Sequence, residues 1–76
     1  MSKMIIEAVL AQAKADEAKA VANLNNYMNK SVGVGEHPDI VTECSKLFKD
    51  IAEARELQAI INSVIEANNE ETPKKS

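Results

Sequence analysis

The chain has 76 residues, a net charge of −3 and a pI near 5.0; there is room for one domain, and the lack of a basic patch argues against nucleic acid as a partner. One cysteine forms no internal disulfide, and one cysteine with one histidine cannot close a zinc site, so no metal or other cofactor is expected. Chains shorter than ~70–80 residues usually need such a staple, or oligomerisation, to gain more than ~3–5 kcal/mol of stability, and here oligomerisation is what remains.

From the N-terminus, the first helix is predicted over about residues 2–30, with Ser2 a candidate cap. The apolar run Met4-Ile5-Ile6 and Ala8 to Ala11 is interrupted by Glu7 and too short to cross a bilayer. Only Lys3 precedes it, where a signal peptide wants a basic segment. The expectation is therefore no membrane association and a cytoplasmic location, with Cys44 reduced. Ile6, Leu10, Ala13, Ala20, Leu24 and Tyr27 recur at spacings of three, four or seven, and Val9, Val21 and Met28 widen the band. Glu17 is the charged residue on that line. It either snorkels from the edge of the stripe to water or pairs as a buried carboxylate across an oligomer interface, where it would set register. Seven alanines between Ala8 and Ala22 predict a close and weakly hydrophobic central packing. Asn23, Asn25, Asn26 and Asn29 compete for backbone hydrogen bonds and predict fraying, or polar contacts with the loop, at the helix end.

The turn, residues 31–37, is marked by Gly33 and Gly35, which can take the positive φ that a chain leaving a helix commonly needs. Pro38, tolerated at a first helical position, starts the second helix. Either His37 with proline at the first position, or Asp39, is its cap; the residues do not choose between them.

The second helix is predicted over about residues 38–68. Ile40, Cys44, Leu47, Ile51, Ala54, Gln58, Ile61 and Ile65 alternate spacings of four and three, flanked by Val41, Phe48, Leu57, Ile60 and Val64. The band broadens beyond Leu57 to more than one partner helix can hide, which predicts self-association. Gln58 breaks the apolar line, as polar residues that set register do. On the outer face, Lys46 with Asp50 and Lys49 with Glu53 have the spacing of weak ion pairs. Residues 69–76 have nothing to bury and read as a disordered tail.

Matched helix lengths and a short connection predict an all-α, antiparallel two-helix hairpin that self-associates into a helical bundle. The preferred assembly is a dimer with four helices, its expected interface being Ile6, Leu10, Leu24, Leu47, Ile51, Gln58, Ile61 and Ile65. No nucleophile has a base beside it, since Cys44 lies on the apolar face and His37 in the turn, so no enzyme is expected. Glu36, His37 and Asp39 make too weak a ligand set to predict a metal. The amides of Gly33-Val34-Gly35 before a helix start could meet an anion, giving a candidate ligand site of Tyr27, Lys30, Gly33, Gly35 and His37.

The run from Tyr27 through Lys30, Gly33, Gly35, His37, Pro38 and Asp39 to Val41 resembles small uncharacterised hairpin proteins encoded by tailed phages, especially large marine ones. The resemblance continues through Leu47, Ile51, Ala52 and Ala54 and covers about half of the chain. It implies a phage source, a location in the host cytoplasm and one of two functions. One is a binder that occupies a host or phage protein, which is the expected function. The other is an oligomeric sponge for a small anionic ligand such as a cyclic nucleotide signal. A structural or virion component is the third alternative.

Overall fold

A computed structural model of the chain describes residues 2–30 and 39–71. These form two helices, α1 (Lys3–Lys30) and α2 (Ile40–Glu71), packed against each other along their length. The all-α hairpin is thus observed.

Ser2 starts α1. Its carbonyl accepts the first helical bond, from the amide of Ile6 at 3.2 Å, and its Oγ accepts from the amide of Ile5 at 3.4 Å, so one of the amides that open a helix without partners is satisfied. The asparagine-rich end stays helical to Lys30. For α2, the carbonyl of Asp39 accepts the first helical bond, from the amide of Glu43 at 2.9 Å. That is the cap position, so Asp39 holds it and the helix begins at Ile40 rather than Pro38. The far end also differs from expectation, because α2 continues past Asn68 to Glu71. Asparagine and glutamate tolerate a last helical turn at modest cost; the rest of the expected tail, residues 72–76, lies outside the described residues. The turn glycines, His37 and Pro38 lie outside the described residues.

The two helices have 28 and 32 residues, or about 42 and 48 Å at the usual rise. They run antiparallel. Near the start of α1, Ile6 and Ala13 pack with Ile61 and against Leu10, Val64 and Ile65. Near its end, Ala20 and Leu24 pack with Ile51 and against Val21, Cys44 and Leu47. Early residues of one helix therefore meet late residues of the other. The most enclosed points of the seam are alanines: Ala13 is 1% exposed, Ala20 4% and Ala54 5%. Small side chains let the backbones approach but bury little area, as the alanine-rich sequence predicts.

This seam is the chain's core, and the molecule is a rod. Its radius of gyration is 17.8 Å, against about 11 Å for a compact globule of the same length. With a single layer of two helices, only one stripe of each is covered. The flanks of both helices face water.

Candidate functional site

At mid-length the apolar seam is broken by a polar cluster. Glu17 of α1 accepts from Arg55 Nε at 2.8 Å through Oε2 and from Gln58 Nε2 at 2.7 Å through Oε1. The carboxylate is half-buried, and the Arg55 side chain remains exposed. Arg55 holds the Glu17 pKa below its ordinary value, with Gln58 adding to that effect and burial opposing it. Both partners come from the same chain. The sequence marks Glu17 and Gln58 separately as breaks in two apolar lines; the structure brings them together.

The cluster acts as a register key. Glu17 sits between Ala13 and Ala20, and Gln58 between Ile51 and Ile65 on the same stripe of α2. A slip of seven residues keeps both stripes facing but sets Glu17 against an isoleucine. The carboxylate then loses both donors while still partly desolvated, an unfavourable exchange. Weak alanine packing alone would not distinguish these registers as sharply.

The residues expected at an oligomer interface mostly close the hairpin itself. Ile6, Leu24, Ile51 and Ile61 are buried between the two helices; Leu10, Leu47 and Ile65 are half-buried beside them. Gln58 is held by Glu17. The large apolar side chains left in water are a different set, among them Val41 at 76%, Ile5 at 62% and Phe48 at 55% exposure. Their positions flanking the stripe are visible in the sequence, but which of them stays uncovered is not. On the outer face, neither Lys46 with Asp50 nor Lys49 with Glu53 closes to ion-pair distance; among the described residues the ion pair is Arg55 with Glu17.

Of the five candidate ligand residues, Tyr27 alone has a described side chain. It is half-buried and lines a hollow of ≈ 400 Å³ with Met28, Ile40, Val41, Cys44, Ser45 and Phe48. That described lining is apolar apart from two hydroxyls and a thiol, and it contains no cation. Lys30 ends α1 with its side chain outside the described residues, as are Gly33, Gly35 and His37. Cys44 is a free, half-buried thiol on the apolar seam. Among the described residues, no group of three His, Cys, Asp or Glu side chains could hold a metal ion, and no helix is long and apolar enough to cross a membrane.

Comparison with known proteins finds no matching family model, no matching curated protein and no matching solved structure.

Proposed function

We propose that this chain is a non-enzymatic protein-binding module, a helical hairpin that self-associates and presents the resulting surface to a protein partner. One observation carries the reading: a rod with a single covered seam leaves Ile5, Val9, Val41, Phe48, Leu57 and Ile60 exposed. Exposed apolar patches of that kind mark interaction sites on soluble proteins. The partner in this reading is a protein of the host or of the phage that the turn's resemblance implies, met in the cytoplasm. A small-anion sponge draws less support, because the hollow beside Tyr27 offers such a ligand no charge among its described residues.

Native mass spectrometry, joined to thermal melting followed by circular dichroism over a hundredfold range of concentration, tests the reading. A mass that is a multiple of 8.3 kDa, with a midpoint that rises with concentration, is expected, since mass action stabilises an associating fold. A monomer with a concentration-independent midpoint refutes self-association. A multiple carrying a few hundred extra daltons per chain transfers support to the sponge.

A further inference from the structure

The two exposed apolar patches lie on opposite flanks and at opposite ends of the hairpin. Both seam stripes repeat in heptads, so each helix has one flank on either side of the seam, and in an antiparallel pair like flanks lie side by side. On the first flank, Ile5 and Val9 of α1 lie toward the end away from the turn, as does half-buried Val64 of α2, and Ile60 and Leu57 of α2 extend the apolar surface to mid-length. On the second flank, Val41 and Phe48 of α2 line one hollow with Tyr27 and Met28 of α1 at the turn end. Met4 is the exception, lying on the second flank at the open end.

Charge divides the same way at mid-length. A groove of ≈ 310 Å³ on the first flank, whose apolar lining includes Leu57, carries Asp16, Asp50 and Glu53 with one cation, Lys19. At the same height the second flank carries Lys14, together with Arg55 held by Glu17. The first flank is net acidic there, while the second carries Lys14 and a cation already paired with Glu17.

These positions decide between two kinds of self-association. A two-fold dimer sets a flank against its own copy, so it covers one patch, leaves the other in water and, on the first flank, places the acidic groove opposite itself. Setting the first flank of one chain against the second flank of a neighbour turned end for end covers both patches. It also faces the acidic groove with Lys14 and Arg55. We infer that the hairpin assembles by this heterologous contact, the Ile5, Val9, Leu57 and Ile60 patch of each chain packing on the Val41 and Phe48 patch of the next copy. This rests on the self-association proposed above and goes beyond it, because such a contact propagates into a ring, or into an open stack whose two ends each keep a free patch for a protein partner, rather than closing as a dimer.

The test uses two full-length variants, Phe48→Asp and Ile60→Asp, each spoiling one flank at an exposed position. Size-exclusion chromatography with light scattering, and native mass spectrometry, read the wild type, each variant and their equimolar mixture. The wild type should exceed a dimer and grow with concentration, each variant alone should be monomeric, and the mixture should give a dimer with one chain of each. Phe48→Asp keeps the first flank and Ile60→Asp the second, so only a heterologous contact lets them complement. If a variant alone loses helix, recovery of the 222 nm signal on mixing supports the contact and no recovery overturns it. A wild-type assembly that stops at two chains, or one variant remaining a dimer while the mixture yields no mixed species, overturns the heterologous contact and leaves self-association standing. A wild type that is monomeric throughout overturns both.

Discussion

Ile51→Ala tests whether the seam is the core of the molecule. Ile51 is 8% exposed and packs with Ala20 and Leu24 where the alanine stretch gives way to larger side chains. Removing buried isoleucine methyl and methylene groups costs about 2–5 kcal/mol, set by how far the site relaxes. Here the neighbours include alanines that cannot move in to fill the space, but the seam is one layer deep and water lies beside it. The lower half of that range, about 2–3 kcal/mol, is therefore expected. A domain of this size has a total stability of about 4–11 kcal/mol, so the substitution removes a large part of it. At ~4–8 °C per kcal/mol for a small domain, the midpoint should fall by about 8–24 °C. Circular dichroism at 222 nm, with wild type and variant at one matched protein concentration, measures the shift. Ser63→Ala, at an exposed position on α2, is the control and should stay within about 0.5 kcal/mol of wild type. A fall below about 3 °C for Ile51→Ala, or a comparable fall for the control, would refute the account of the seam.

Two further substitutions probe the alanines and the polar cluster. Ala13→Leu forces a larger side chain into the most enclosed point of the seam and should destabilise by about 1–3 kcal/mol; an unchanged or raised midpoint would show that the helices are not in close approach there. Glu17 has a folded pKa below its ordinary value, so its contribution is present above the unfolded pKa and lost as pH falls through the lower folded one. Between neutral pH and about pH 3, the wild-type midpoint should therefore drop further than that of Glu17→Gln, which lacks the titrating group. Equal drops in the two proteins would show that Arg55 and Gln58 do not bind the ionised carboxylate preferentially.

Much of the fold was legible in the residues. Ser2 as the cap of α1, the two apolar stripes and the close alanine packing follow from spacing and side-chain size, which act over a turn or two of helix. The start of α2 was legible only as a choice, because His37-Pro38-Asp39 offers two capping arrangements; the bond from Glu43 to the Asp39 carbonyl resolves it. The far end was drawn three residues short, since the lack of apolar residues after Asn68 removes a reason to bury the segment but not a reason to be helical. For the candidate site, Glu17 and Gln58 stood out as polar breaks, yet neither stripe alone says that they meet.

What the sequence by itself determined is the angular position of each side chain around its own helix, hence the existence of two amphipathic helices and the membership of each seam. That is a consequence of the 3.6-residue turn, which needs no partner to be defined. What only the tertiary structure decided is the axial register of one helix on the other. Register pairs Glu17 with Arg55 and Gln58 inside one chain, sets Leu57 beside Asp16 and Lys19 in one groove, and brings Val41 and Phe48 to Tyr27 and Met28 at the turn end. Burial and ion pairing belong to pairs of residues distant in sequence, and periodicity leaves every slip by a whole heptad equally open until a polar group on the seam finds its donors.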